Sequence, residues 1–351
     1  MISLLFMMQP NLGLALGQAE IPIASHLVGL QWTGSNFIAS YRDGATLLLN
    51  VSADGKTVKP FAPSFAGQAE VYIALSPGRA GFPPGDLYLC SNDSIYSISP
   101  SGGNLTLRAS LAGRLIEYMA FDYTGQWGYD LFALTGDGYV WAIDSSGAFT
   151  QVSSLGANLM PEGVTVASSG FGAYGGDLIV SMENNHEVVA ISKTTHQNTI
   201  LAVFSGEAPE RVLTIPGGNW DLYVSKYDHG TLERFGSGNF SAYAGSILVV
   251  SEGENGQTGS VNVLTAAGSN ITATRIFSEP DSPHFEGATF APTTEAASST
   301  TGIGGGGSSV VFPIVAGVLA VVAIGSFVLV LRKMRRPQGT APRNFRPTNR
   351  R

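Results

Sequence analysis

The chain has 351 residues, of which 44% are apolar and only 13% charged, with 44 glycines and 18 prolines. It is too long for one small domain and too rich in glycine for a helical protein. Residues 332–351 hold eight Lys or Arg and no acid, so the rest of the chain carries a net charge of −15. This acidity argues against nucleic acid as a partner, because phosphate contacts need a basic face.

Residues 1–19 are interpreted as a signal peptide. Residues 2–8 are apolar, and small residues near position 17 offer a cleavage site, although the segment has no Lys or Arg. The alternatives are a misassigned start or a short unstructured lead. A signal peptide would place the main domain, residues 20–291, outside the cell.

Residues 310–331 are predicted to form a transmembrane helix. The 22 residues carry no charge and would span about 33 Å as a helix, which is enough for a bilayer core. Arg332 and Lys333 follow at once, and the positive-inside rule puts them in the cytoplasm. We therefore expect a single-pass type I protein of the plasma membrane.

Two further segments flank this span. Residues 292–309 are rich in Ser, Thr and Gly and predict a disordered stalk. The basic tail, residues 332–351, is expected to contact anionic lipid headgroups, with a short docking segment as the alternative. Five N-x-S/T sequons predict a glycoprotein, with candidate glycan sites at Asn50, Asn92, Asn104, Asn239 and Asn270.

The body of the chain is a repeat. A glutamate followed by a short apolar strand recurs, and one copy has histidine in place of glutamate; the positions are His26, Glu70, Glu117, Glu162, Glu210 and Glu286. The first four intervals are 44, 47, 45 and 48 residues, which is the period of a four-stranded propeller blade. The last interval is 76 residues and breaks the pattern.

Each copy is followed by an apolar strand, a polar turn and a second strand. These hairpins begin at Asn36, Asp86, Asp130, Asp177, Asp221 and Ser246. Six hairpins predict an all-β, six-bladed β-propeller in which Phe285–Ala291 supplies the missing inner strand of the last blade. The alternative is five blades with an inserted hairpin at residues 219–243.

No catalytic motif is present in the sequence. Two G-x-G-x-x-G stretches, at residues 170–175 and 302–307, do not lead into a helix that could hold a phosphate. The sequence contains no G-x-S-x-G, H-E-x-x-H, paired-cysteine metal site or EF-hand loop. The only cysteine, Cys90, ends an alternating strand and is interpreted as a small buried apolar residue.

The repeated glutamates are the remaining candidates for chemistry. In a propeller the first strand of each blade lines the central channel, so residues at one repeat position form a ring. One hypothesis is that His26 and the five glutamates hold Ca²⁺ or another divalent cation, because crowded carboxylates repel one another without a cation. The other is that each glutamate accepts backbone N–H bonds from the next blade and acts as a latch.

The hairpins and the Pro-Glu-Gly start resemble six-bladed propellers of the NHL and senescence-marker-protein/gluconolactonase type. The resemblance implies that a glutamate at the start of an inner strand helps hold a divalent metal. Glu162 and Glu286, each followed by glycine, match that feature.

The preferred interpretation of function is a membrane-anchored extracellular module for binding or adhesion. One alternative is a metal-dependent hydrolase of the lactonase kind, in which a cation at the channel mouth polarises a carbonyl. Another is a structural component of the cell surface.

Overall fold

The computed structural model describes residues 19–24, 26–43, 45–63, 70–253, 256–279 and 284–293. These residues form six four-stranded antiparallel sheets, so the chain is an all-β, six-bladed propeller and the prediction is confirmed. The predicted signal peptide apart from Ala19, the stalk beyond Thr293, the transmembrane segment and the basic tail lie outside the described residues. Within the described residues, no helix has the length and apolar character needed to cross a bilayer.

The first strand, β1, spans Ala19–Pro22 and belongs to the last blade. Blade 1 consists of β2 (Leu27–Trp32), β3 (Asn36–Asp43), β4 (Ala45–Ser52) and β5 (Val58–Pro60). Blade 2 consists of β6 (Ile73–Leu75), β7 (Leu87–Ser91), β8 (Ser94–Ile98) and β9 (Thr106–Ser110). Blade 3 consists of β10 (Ile116–Phe121), β11 (Leu131–Thr135), β12 (Tyr139–Ile143) and β13 (Phe149–Ser154).

Blade 4 consists of β14 (Pro161–Val166), β15 (Leu178–Met182), β16 (Glu187–Ile191) and β17 (Asn198–Val203). The remaining strands in chain order are β18 (Ala208–Thr214), β19 (Trp220–Lys226), β20 (Thr231–Phe235), β21 (Ile247–Glu252), β22 (Gly259–Ala267), β23 (Asn270–Glu279) and β24 (Phe285–Pro292). The helical elements among the described residues are short 3-10 turns at Gly172–Tyr174, Ser237–Asn239 and Ser241–Tyr243.

The last two blades are interlocked. Blade 5 pairs β18 with β21, β22 and β23, whereas blade 6 is ordered β24, β19, β20 and β1 from the inside out. The chain therefore leaves blade 5 after β18, forms the middle hairpin of blade 6, returns to finish blade 5, and closes blade 6 with β24. This exchange explains the 76-residue interval, and the five-bladed alternative is wrong because the hairpin at 220–235 belongs to the sixth blade.

Both ends of the described chain close the ring. The N-terminal β1 pairs with β20 as the outermost strand of blade 6, and the C-terminal β24 pairs with β19 as its innermost strand. The inner strands contact one another in the order β2, β6, β10, β14, β18, β24 and back to β2. A closed ring leaves no inner sheet edge free to pair with another chain.

Within a blade, residues of the second strand from the channel are more buried than residues of the outermost strand. Every residue of β7, β11 and β15 is buried, because both faces of these strands pack against adjacent blades. The outer strands β9, β13 and β17 each begin with three exposed residues. The core thus consists of apolar layers between blades, and it surrounds a central channel lined by the six inner strands.

Candidate functional site

A β-bulge sits at the glutamate position of four inner strands. The pairing register shifts around Glu117, Glu162 and Glu210, and again around Glu286 in β24. A bulge places one extra residue in a strand and redirects its side chain. These four carboxylates are buried at the start of the channel, with exposed fractions of 7% or less.

The other two predicted ligands occupy different positions. The register of β2 shifts between Leu27 and Leu30, which puts Val28 where the other blades have glutamate, while His26 is exposed and precedes the strand. In blade 2, Ile73 pairs with Leu89, so Val71 rather than Glu70 holds the equivalent place. The structure therefore brings together four of the six predicted ligands at one repeat position.

The residue after each of these positions is either glycine or a residue with a large side chain. Gly29, Gly163 and Gly287 occupy it in blades 1, 4 and 6. A Cβ at any of the three would lie within 2.3–2.8 Å of a backbone oxygen of the next inner strand. The inner strands therefore approach closely at these three places. Blades 2, 3 and 5 instead place Tyr72, Tyr118 and Arg211 there, and the three side chains meet in the channel.

Arg211 is the centre of this arrangement. It is fully buried, and its guanidinium lies 3.9 Å from the ring centre of Tyr72 and 4.5 Å from that of Tyr118. It donates hydrogen bonds to the backbone carbonyls of Glu162 and Glu210. Cation–π contacts with two rings and two carbonyl bonds fix the guanidinium across the channel.

The same guanidinium faces three carboxylates. Its Nη2 lies 2.9 Å from an oxygen of Glu210 and 3.8 Å from one of Glu286, and its Nη1 lies 4.0 Å from one of Glu162. The chain itself thus supplies a cation to the acidic ring. Burial lowers the pKa of Arg211, but the surrounding carboxylates, Glu210 above all, outweigh it and raise that pKa well above its usual value.

A second basic side chain, His284, contacts Glu286, which Arg211 also faces. Its Nε2 is 3.0 Å from Glu252 and 2.9 Å from Glu286, so one imidazole bridges two buried carboxylates. Burial lowers the pKa of His284, but the hydrogen bonds to Glu252 and Glu286 outweigh it and raise the pKa to about 12. Glu286 also accepts a hydrogen bond from the Tyr72 hydroxyl at 2.8 Å. Burial raises the pKa of Glu286, but His284 and Arg211 overcome this effect and hold the pKa below its usual value.

The remaining carboxylates bind protons more tightly than usual. Burial, followed by repulsion from Glu70 and Glu183, raises the pKa of Glu117 to about 7. Burial and repulsion from Glu210 and Glu117 raise the pKa of Glu162 well above its usual value, and one of its buried oxygens has no hydrogen-bond partner in the described structure. Burial likewise raises the pKa of Glu210, in spite of Arg211. Burial and mutual repulsion therefore favour the protonated form of these three carboxyl groups.

Serine hydroxyls donate hydrogen bonds to backbone carbonyls of neighbouring inner strands. The Ser40 hydroxyl donates to the carbonyl of Val71 in the next blade, and Ser181 donates to the carbonyl of Glu210. Ser225 donates to the carbonyl of Val28 across the ring closure. Each serine faces one of the three glycines that permit close approach. Among the described residues, Glu162, Glu210 and Glu286 accept no backbone N–H.

The far end of the channel contains a cavity of about 460 Å³. All six inner strands contribute to its wall with their final residues, including Trp32, Leu75, Phe121, Val166, Leu213 and Phe290. Tyr118 belongs both to this wall and to the group that holds Arg211, so that group closes the inner end of the cavity.

Comparison with known proteins bears on the fold. No protein-family profile and no curated protein matches the sequence. Among solved structures, the nidogen/laminin complex has a TM-score of 0.51 at 13% identity, covering 76% of this chain and 86% of that chain.

The chain is a six-bladed propeller with distant structural neighbours. Regucalcin from Agrobacterium tumefaciens, a calcium-binding protein, aligns with a TM-score of 0.45 at 13% identity, over 72% of this chain and 75% of that one. A catalytically inactive virginiamycin B lyase from Staphylococcus aureus with quinupristin has a TM-score of 0.43 at 12% identity, covering 60% of this chain and 66% of the lyase chain. At 13% identity, the likeness to the nidogen/laminin complex shows the fold alone.

The remaining predicted residues are the five glycan candidates and Cys90. Asn92, Asn104 and Asn270 are exposed, and Asn50 and Asn239 are partly buried, so the first three offer the more accessible positions for the predicted glycans. Cys90 is fully buried, and burial raises the pKa of its thiol to about 12, which agrees with a small core residue.

Sequence reasoning missed the two cations and Glu252. Arg211 follows Glu210 within the repeated strand, where other copies have glycine or tyrosine, and a lone arginine in an inner strand was the available indication. His284 and Glu252 lie just outside the repeat motif and gave no such indication.

Proposed function

We propose that this protein is a membrane-anchored extracellular propeller that binds a ligand and does not transform it. The observation that carries the proposal is the buried guanidinium of Arg211, which lies among the channel carboxylates and closes the channel together with Tyr72 and Tyr118. The carboxylates serve an internal charge network rather than an open coordination site.

The chemistry of a lactonase-like reaction requires a different arrangement. A divalent cation would polarise the substrate carbonyl and lower the pKa of a bound water. In this chain a positive charge, the guanidinium of Arg211, already lies among the channel carboxylates, held by its contacts with Tyr72, Tyr118 and two backbone carbonyls. Coordination of a metal by His284 would require the neutral imidazole, so metal binding there would release a proton.

The location outside the cell is supported by the sequence beyond the described residues. The uncharged stretch at 310–331, the basic residues after it and the Ser/Thr/Gly-rich stretch before it together favour a tethered domain, with the tail against anionic lipids. The extracellular partner in this proposal is a ligand of the propeller.

A second candidate function is a divalent-cation-dependent hydrolase. Glu252, His284 and Glu286 favour it, because one ligand atom from each lies within 4.8 Å of the others. Oxygen and imidazole donors at this spacing would hold Ca²⁺ or a transition metal once His284 had lost its proton.

Turnover of lactones and esters separates the two candidates. The full-length purified protein is assayed with and without added Ca²⁺, beside the Glu286→Gln variant. A binding module gives no turnover above that of the variant under either condition. Calcium-dependent hydrolysis that the variant loses would overturn the proposal and establish the hydrolase.

The topology is tested in intact cells. An external protease is expected to remove the propeller and leave the basic tail protected. Replacing the exposed Asn92 with Gln is expected to remove one glycan and so to increase the mobility of the protein on a denaturing gel. A propeller that only permeabilised cells expose to protease would contradict the anchored, extracellular placement.

A further inference from the structure

The cavity at the far end of the channel has no role in the charge network described above. We propose that it takes an uncharged, largely apolar small molecule that carries one polar group. This inference rests on the proposed function, since it names the class of ligand that the module binds. The cavity is separate from the carboxylates, because Arg211, Tyr72 and Tyr118 lie between them.

The size of the cavity suits a small organic ligand. Its volume of about 460 Å³ lies within the range of roughly 300–1,000 Å³ that is usual for small-molecule sites. Its wall comes from six strands of a closed ring, so it is formed before the ligand arrives. Aromatic residues, among them Trp32, Phe121, Trp220 and Phe290, line it. Tyr123, also in the wall, is 54% exposed, so the cavity reaches the surface.

The absence of charged side chains in the cavity wall favours an uncharged ligand. Of the described residues that line the cavity, none is acidic or basic. A charged ligand would lose its hydration without gaining a counter-ion, which is costly in an apolar site. The chain as a whole has 45 charged residues, so an uncharged wall at the centre of the ring is a specific property of this surface.

Threonine hydroxyls supply the polar complement. The Thr214 hydroxyl donates its proton to the backbone carbonyl of Val166 at 2.9 Å. The hydroxyl oxygens of Thr214 and Thr165 lie 3.4 Å apart, and because the Thr214 proton is already used, Thr165 is the donor in this second contact. The Thr165 oxygen therefore keeps lone pairs that can accept from a ligand. The Thr289 hydroxyl oxygen accepts a hydrogen bond from the backbone N–H of Trp32 at 3.3 Å. Within the described structure Thr289 makes no other side-chain hydrogen bond, so its hydroxyl proton can be donated to a ligand. A ligand hydroxyl or amine could donate to Thr165, and a ligand hydroxyl or carbonyl could accept from Thr289.

A matched pair of fluorescent probes tests the inference. N-phenyl-1-naphthylamine is uncharged, and 1-anilinonaphthalene-8-sulfonate adds one negative charge to the same skeleton. Each is titrated into the full-length protein in nanodiscs of uncharged phospholipid, with empty nanodiscs as the blank. Binding is followed by energy transfer from tryptophan, since Trp32 and Trp220 line the cavity. We expect saturable binding of the neutral probe at one site per chain, with the sulfonate at least about tenfold weaker.

Three variants locate the site. Ala120→Phe fills the cavity and is expected to abolish saturable binding, whereas Ala148→Phe, on an exposed loop, leaves it unchanged. Thr165→Val removes the acceptor and is expected to weaken the neutral probe by about two- to tenfold, because the probe's N–H loses its partner. The melting temperature of each variant verifies its fold.

Defined results overturn the inference. Signal that never saturates, equal affinity for the two probes, or unchanged binding in Ala120→Phe would each do so. If Ala120→Phe does not fold, the probe pair and Thr165→Val decide the question. Failure here is distinct from failure of the proposed function, because the titration detects no hydrolysis and the turnover assay does not depend on the cavity.

Discussion

Replacing Arg211 with methionine tests the internal charge network most severely. The change keeps a long side chain between Tyr72 and Tyr118 but removes the guanidinium. Glu210, Glu162 and Glu286 then lose a cation that lies 2.9–4.0 Å from their oxygens. Two backbone carbonyls lose their donor as well.

The expected cost is large and depends on pH. Removing one partner from a buried ionic cluster costs about 3–5 kcal/mol, because it leaves uncompensated buried charge. The carboxylates of the variant relieve part of this cost by binding protons. Loss of the guanidinium raises the folded-state pKa of each of these carboxylates, so the relief is present at low pH and is lost as the pH rises. The destabilisation is therefore largest at about pH 8 and smaller at about pH 5.

Urea denaturation of the full-length protein at both pH values measures this difference. Arg79→Met serves as the control, since Arg79 is exposed and lies away from the channel. The double variant Arg211→Met/Glu210→Gln is expected to regain part of the loss, because one buried carboxylate disappears with its cation. A single variant within about 0.5 kcal/mol of the wild type at pH 8, or an equal loss at both pH values, would refute the reasoning.

Three further predictions concern the core around the channel. Glu117 has a folded pKa of about 7 against 4.5 for the free side chain, so its contribution to stability is full below 4.5 and declines as the pH rises to 7. Glu117→Gln should flatten that decline by about 3 kcal/mol, measured by denaturation across the same pH range. Gly163→Ala should destabilise by about 1–3 kcal/mol, because its Cβ would lie 2.8 and 2.9 Å from backbone atoms of the next inner strand; Gly217→Ala, with open space around it, should match the wild type in thermal melts. Cys90 should resist thiol reagents in the native protein and react on unfolding, since it is fully buried with its pKa raised to about 12; rapid native labelling would contradict that burial.

The blade count was predictable because each blade repeats one pattern of glutamate, strand and hairpin. The registers of blades 1 and 2 were not. Sequence reasoning aligned His26 and Glu70 with the other copies by residue type, whereas the structure aligns backbone pairs, which put Val28 and Val71 there. A β-bulge adds one residue to a strand, and the amino-acid composition does not show where it occurs.

The exchange of hairpins between blades 5 and 6 could not be predicted either. The hairpins at 220–235 and 247–267 have the same alternating pattern, so the sequence does not tell which one pairs with β18. The acidic ring was predictable from the repeat, but its compensation was not. The structure places the basic side chains of Arg211 and His284 against these carboxylates, and the repeat did not predict either contact.

Calorimetric titration of Ca²⁺ into the full-length, chelator-treated protein tests the central claim most directly. If Arg211 and His284 compensate the channel carboxylates, the account predicts no saturable heat and no rise in melting temperature at neutral pH. Saturable Ca²⁺ binding that raises the melting temperature, and that Glu286→Gln abolishes, would contradict it.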